Sequence, residues 1–315
     1  MITSDWHIHS RNSCDDACMT LADMARGAAA KGILAFGVSD HIHTAFNLPD
    51  LAASRSEFEQ FSPTPDFHFG VEVSCVSQWE IDEIACGRSL AKPPVYGLRS
   101  GGPPGAALAI GLTVEDLRRH KVEYVIGGAH WPMYVPIERE ALIRDYHRQN
   151  MFLAAHPLVD IVAHPWWWHG HWKDADDRFT TEPWLADFGR IPRSLHDEFA
   201  SSAIQHGALV EINAGAMLLT RRYPEAFKRR YLDYLAYLKE RGVRLCFGSD
   251  WHSAQYDVDI VRASEMLDSV GITDADMWRL PPGHAIRDSG RGKALAFTPA
   301  RTAPPKTAPA GTTHA

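Results

Sequence analysis

Short apolar runs alternate along the chain with longer stretches of helical period. Ile2 to Trp6, Ile33 to Val38, Phe67 to Val73, Val122 to Ile126, Leu158 to Ala163, Ala208 to Ile212 and Val243 to Phe247 read as seven strands, each short, apolar and bounded by turn residues. Between them, Thr20 to Lys31, Thr113 to His120, Arg139 to His156, Ser194 to His206, Pro224 to Arg241 and Val258 to Val270 read as helices. In the first, Leu21, Met24, Ala25 and Ala28 fall on one face and Gly32 marks the stop. A more polar stretch follows His41 and receives no element. The rhythm breaks between about residues 86 and 112, where Lys92-Pro93-Pro94 and Gly101-Gly102-Pro103-Pro104-Gly105 can continue neither a helix nor a central strand. This stretch reads as a long excursion, either a lid over a site or a surface loop. From Thr298 the residues are mostly Pro, Ala, Thr and Gly, so 298–315 is expected to be a disordered tail.

Strands separated by helices imply a parallel sheet with right-handed crossovers. Continuously apolar strands such as Ile33–Val38 suit a sheet covered on both faces. No glycine-rich phosphate loop follows any strand, which favours a closed or distorted TIM-like α/β barrel over an open dinucleotide-binding sheet. The expected domain is a single barrel over residues 1–297 with the excursion as its insertion.

In such a barrel the carboxyl ends of the strands converge on one mouth. The residues found there change the picture. His7 and His9 end the first strand and share a face, because strand side chains alternate. Asp40 and His41 end the second and Glu72 lies in the third. His130, His164 and the pair Asp250/His252 follow the fourth, fifth and seventh, and Asp15 and Asp16 lie just after the first. Any one of these is most simply a satisfied polar group. So many imidazoles and carboxylates at one mouth would be costly to bury unless cations paired them. The donors are nitrogen and oxygen, which suits zinc, manganese or iron, and they outnumber the ligands of one tetrahedral ion. Two or three divalent ions are therefore expected, with the central Glu72 as a bridge.

These residues sit in motifs. Asp5-Trp6-His7-Ile8-His9-Ser10, Ser13-Cys14-Asp15, Ser39-Asp40-His41, Gly70-Val71-Glu72-Val73-Ser74, Ala129-His130, Ala163-His164-Pro165 and Gly248-Ser249-Asp250-Trp251-His252 together resemble, in order, the motifs of the PHP (polymerase and histidinol phosphatase) superfamily. The resemblance covers residues from about 2 to 270. It implies a distorted (βα)7 barrel with a trinuclear metal centre. By position it implies His7, His9, Glu72 and Asp250 on one metal, Glu72, His130 and His164 on a second, and Asp15, His41 and His252 on a third. Asp16 competes with Asp15 for its place.

The remaining chemistry concerns substrate. The expected reaction is hydrolysis of a phosphate ester of a small metabolite by a metal-bound hydroxide, with Glu72, Asp250 and His252 as catalytic candidates. Arg11, Arg193, Arg221 and Arg222 are candidates for gripping phosphate, since guanidinium matches it at two points. Surface solvation is the plain alternative for each. Trp166 opens Trp166-Trp167-Trp168-His169-Gly170-His171-Trp172, which reads equally as an apolar substrate wall or as a plug on the barrel. Asn213 is a candidate substrate donor or a turn former. A phosphodiesterase on a cyclic or nucleotide substrate and an amidohydrolase-like reaction on a non-phosphate substrate are the alternatives.

A net charge of −7 argues against a nucleic-acid partner while permitting a small anionic substrate at a local positive site. No apolar run is long enough for a membrane span and no secretory signal is visible. Five cysteines without a CxxC pair fit reduced thiols and a cytoplasmic location. Nothing in the sequence sets the oligomeric state.

Overall fold

A computed structural model describes residues 1–87, 94–168, 184 and 187–281. Its elements are β1 (Ser4–Ile8), α1 (Leu21–Ala30), β2 (Ala35–Val38), β3 (His41–Ile42), α2 (Leu48–Phe61), β4 (Phe67–Ser77), α3 (Gln78–Ala85), β5 (Leu108–Ile110), α4 (Val114–Arg119), β6 (Tyr124–Gly128), α5 (Arg139–Ala155), β7 (Ile161–Val162), α6 (Arg193–His206), β8 (Leu209–Asn213), α7 (Glu225–Glu240), β9 (Arg244–Gly248) and α8 (Ile260–Asp268). Seven strands pair in the order β1-β2-β4-β6-β7-β8-β9, all parallel. The sheet comes round on itself through a parallel bridge between Ile8 and Trp251, just beyond β9. There the Asp250 backbone N donates to His7 O at 2.6 Å and His9 N donates to Trp251 O at 3.1 Å. These seven strands are the ones the apolar runs predict, and the distorted TIM-like barrel is the expected one.

Four elements, β3, α2, α3 and β5, are not among those the sequence predicts. The polar stretch after His41 holds α2, whose buried stripe is only Leu51, Ser54 and Phe58. A stripe that narrow leaves the composition polar while still satisfying helical spacing. The excursion returns to the sheet as β5, which lies antiparallel on Cys75–Ser77, the outer end of β4. Residues 88–93, the end of the expected domain at 297, and the tail 298–315 lie outside the described residues.

Helix starts follow the sequence. Thr20 Oγ1 accepts from Asp23 N at the head of α1, and Thr113 with Asp116 forms a capping box on α4. The barrel interior is filled below the mouth by Trp6, Tyr124, Ile126, Ile161, Leu209 and Cys246. A larger cluster that includes Phe69, Val71, Val125, Val210 and Phe247 joins strands to helices. Gly37 and Gly70 lie under the Tyr124 ring, where a Cβ on either would strike it. Tyr124 Oη then donates to Trp6 O at 2.8 Å. Among the described residues no helix is long and apolar enough to cross a membrane, and all five cysteines are unpaired.

One irregularity positions the site. The register of β1 on β2 shifts between Asp5 and Ile8, so two successive side chains turn toward the barrel axis. Trp6 packs on Tyr124 and Trp278 in the interior, and His7 begins the mouth directly above it.

Candidate metal centre

Glu72 stands at the middle of the mouth. β4 points Gly70, Glu72 and Ser74 inward while Phe69, Val71 and Val73 join the outer core. The carboxylate is fully buried and its two oxygens divide the histidines between them. Oε1 lies 3.1 Å from Nε2 of both His130 and His164. Oε2 lies 3.1 Å from His7 Nε2, 3.6 Å from His9 Nε2 and 2.8 Å from His41 Nδ1. Asp250 Oδ1 faces His9 Nε2 at 3.2 Å and His7 Nε2 at 3.5 Å. Asp15 Oδ2 lies 2.8 Å from His252 Nε2 and 3.3 Å from His41 Nε2. The cluster thus takes in Asp15, while Asp16 is exposed at the rim.

Three groups of candidate ligand atoms each fall within 4.8 Å of one another: His9, Asp15, His41 and His252; His7, His9, Glu72 and Asp250; and His41, Glu72 and His130. His164 reaches the last group through Glu72 Oε1. The grouping differs from the expected one in that His9 and His41 each stand between two groups. His164 and Asp250 hold their backbones at φ 27° and 55°, a left-handed conformation that costs non-glycine residues on the order of 1–3 kcal/mol and gathers at functional sites.

The donor set fits divalent cations. His7 Nε2, His41 Nδ1, His130 Nε2 and Glu72 Oε2 are buried without a hydrogen-bond partner, and all four point into the same small volume. An orphaned buried polar atom costs about 1–3 kcal/mol; ligation satisfies several at once. The electrostatics draw positive charge to this volume. Burial opposes charge on Glu72, yet His41, His7 and His130 hold its carboxyl well below the usual range. Burial also opposes charge on His7 and His41. Glu211, Glu72 and Asp250 nevertheless raise the first well above its ordinary value, and Glu72 and Asp15 raise the second to about 10.

Outside the ligand candidates lies a layer that orients them. His7 Nδ1 is 2.6 Å from Glu211 Oε1. Glu211 Oε2 accepts from His164 N at 2.7 Å and from Asn213 Nδ2 at 3.1 Å. Ser74 Oγ sits between His43 Nδ1 at 2.6 Å and His130 Nδ1 at 2.8 Å. Asp40, at a strand end, accepts from Ser10 N, Ser10 Oγ and Ser54 Oγ and fastens the turn after β1 to α2. Sequence reasoning missed Glu211, Ser74 and His43. Glu211 was findable as the sole acid inside the apolar run Ala208–Ile212, and His43 as a second H-x-H partner to His41.

Above the cluster opens a cavity of about 650 Å³, walled by Tyr96, Trp131, Trp167 and Trp251 with Arg99 and Arg222 as its cations. Of the substrate candidates, Arg222 reaches it. Arg11 does not line it; its Nε is paired with Glu57 on the surface at 3.2 Å. The Arg193 guanidinium lies on the Tyr237 ring at 3.4 Å, outside the barrel between α6 and α7. Arg221 is exposed and is not part of the wall. Asn213 is spent internally: Nδ2 donates to Glu211 and to Asp250 Oδ2 at 3.1 Å, and Oδ1 accepts from Ala216 N at 2.8 Å, so it steadies Asp250. Trp166 is buried against Trp184 and His196 with φ 72°. The turn it makes presents Trp167 to the cavity instead. The aromatic stretch therefore supplies both a wall, through Trp167, and a plug, through Trp166 and Trp168; residues 169–172 lie outside the described residues. Arg99 was missed because its segment reads as Pro- and Gly-rich loop.

No family model matches the sequence, and neither does any curated protein. Solved structures do match. The histidinol phosphate phosphatase of Lactococcus lactis subsp. lactis Il1403, complexed with zinc, L-histidinol and phosphate, superposes with a TM-score of 0.55 at 16% identity, over 86% of this chain and 94% of that one. The putative histidinol phosphatase of Listeria monocytogenes gives 0.53 at 10% identity, over 81% and 97%. The motif order resembles the PHP superfamily, and the barrel that carries those motifs has the fold of these histidinol phosphatases.

Proposed function

We propose that this protein is a metal-dependent phosphomonoesterase acting on a small phosphorylated metabolite. The observation that carries the reading is Glu72, whose two buried oxygens face His130 and His164 on one side and His7, His9 and His41 on the other. That arrangement suits a carboxylate shared between neighbouring ions. His7, His9, Glu72 and Asp250 would hold one ion, Glu72, His130 and His164 a second, and Asp15, His41 and His252 a third. Bound divalent ions supply Lewis acidity, lowering the pKa of water and neutralising charge on phosphoryl oxygens.

The chain's own part is to position and to exclude. Asp250 and His252 stand at the cavity edge, where they orient water toward the phosphoryl group. Asn213 and the strained turn at Asp250 keep that carboxylate aimed. Arg222 offers positive charge to the phosphate from the wall, and Trp167 and Trp251 limit solvent access. The L. lactis structure holds zinc, L-histidinol and phosphate, which supports zinc and makes histidinol phosphate the first compound to try.

The test is phosphate release. Protein reconstituted with zinc or manganese should release phosphate from an aryl monoester and from some members of a panel of phosphorylated metabolites, and His130→Ala should abolish the release. Turnover of diesters alone would replace this reading with a phosphodiesterase.

A further inference from the structure

On the β4–β5 side of the cavity, four side chains form a group that the reaction above leaves unused. His43 lines the cavity while only 3% exposed, and its Nε2 has no partner. The Arg99 guanidinium lies over two rings, 4.8 Å from the centre of Tyr96 and 4.7 Å from that of Trp131. Its Nε donates to Tyr96 O at 3.3 Å, and among the described residues no carboxylate pairs with it. The same two rings flank His43, at 5.6 and 5.5 Å between centroids. An arginine pinned on aromatic faces loses little further freedom on gripping an anion.

The hydrogen bonds determine what His43 offers. As a metal ligand His130 would offer the lone pair of Nε2, the nitrogen on the Glu72 side, so its proton would sit on Nδ1, 2.8 Å from Ser74 Oγ. Ser74 accepts that proton and has its own to give, which goes to His43 Nδ1 at 2.6 Å. A neutral imidazole that accepts at Nδ1 carries its proton on Nε2. The unpartnered nitrogen of His43 is therefore an N–H donor, buried beside a guanidinium, and only an acceptor satisfies both.

We infer that His43 and Arg99 form an oxyanion-binding subsite that takes a carboxylate or a second phosphate on the leaving portion of the substrate. The inference rests on the reading that the phosphoryl group occupies the metal cluster. His43 lies one ring beyond that cluster, its centroid 5.8 Å from that of His130. Arg99 lies beyond Trp131, which is itself 5.7 Å from His130.

Non-hydrolysable probes separate this inference from the phosphatase reading. Binding of phenylphosphonate, 4-carboxyphenylphosphonate and 1,4-phenylenebisphosphonate to the zinc-reconstituted chain is measured by calorimetry, with zinc content determined alongside. The expected result is that the wild type favours at least one of the two probes with an anionic tail over phenylphosphonate by about tenfold to a hundredfold, the range of a charge-assisted pair. Arg99→Met and His43→Phe should each bring the ratio near one, with Arg99→Lys restoring part of it. Whichever probe wins names the anion. Equal binding of all three by the wild type, or a preference that survives Arg99→Met, overturns the subsite. Absence of phosphate release with the preference intact would overturn only the phosphatase reading.

Discussion

Nδ1 of His7 lies 2.6 Å from Oε1 of Glu211, so the first histidine of the chain is held by an acid from β8 on the same barrel axis. The other oxygen of Glu211 accepts the backbone N of His164. One carboxylate therefore orients candidate ligands from both sides of Glu72. Removing such an outer partner typically weakens metal binding by about ten- to a hundredfold. Glu211→Gln keeps the shape but gives up the charge, and it should weaken zinc binding by that factor in competition with a calibrated chelator. Unchanged affinity would show that Glu211 is only a structural acid.

The mouth has room for no more atoms beneath the second group of ligands. A Cβ at Gly128 would lie 2.7 Å from His130 Cε1, 2.8 Å from Glu72 Oε1 and 2.9 Å from His164 Cε1. Glu72 is held within β4 and the two histidines follow closely on the ends of β6 and β7, and crowding of this kind costs on the order of 1–3 kcal/mol. Gly128→Ala should therefore fold, with a far-ultraviolet spectrum like that of the wild type, yet bind at least one fewer metal equivalent. Full metal content in the variant would mean that the three residues relax freely.

Away from the centre, His196 makes stability depend on pH. It is buried against Phe188 and Tyr234, and burial, with Arg193 and His147 nearby, lowers its pKa to about 4 from 6.5 while Asp197 pulls the other way. The unfolded chain takes up the proton first as pH falls. Stability is then fully present above about pH 6.5 and is lost progressively down to about pH 4. At 1.36 kcal/mol per pH unit the loss at pH 5 is about 2 kcal/mol. His196→Phe should remove this contribution, so the Tm difference between variant and wild type should grow by a few degrees from pH 7.5 to pH 5. A constant difference would place the proton elsewhere.

The sequence carried the ligand candidates because their chemistry is costly without a partner, and strand-end positions are readable from the apolar runs. His7, His9, His41, Glu72, His130, His164, Asp250 and His252 could all be placed at one mouth for that reason. The shift of register in β1, which turns Trp6 and His7 to the same side, has no sequence signature. The same holds for which tryptophan of 166–168 faces the cavity, since one left-handed residue decides it. Arg11, Arg193 and Arg221 misled because guanidinium chemistry is identical on a surface and in a site; only packing separates them from Arg99 and Arg222. Helix α2 was hidden by a buried stripe of three residues.

Metal content is the most direct test of the central claim. The chain, stripped with chelator, reconstituted with zinc or manganese and freed of excess ion, should retain two or three equivalents per chain by elemental analysis. Retention of less than one equivalent would contradict the metal centre, and with it the reaction built on it.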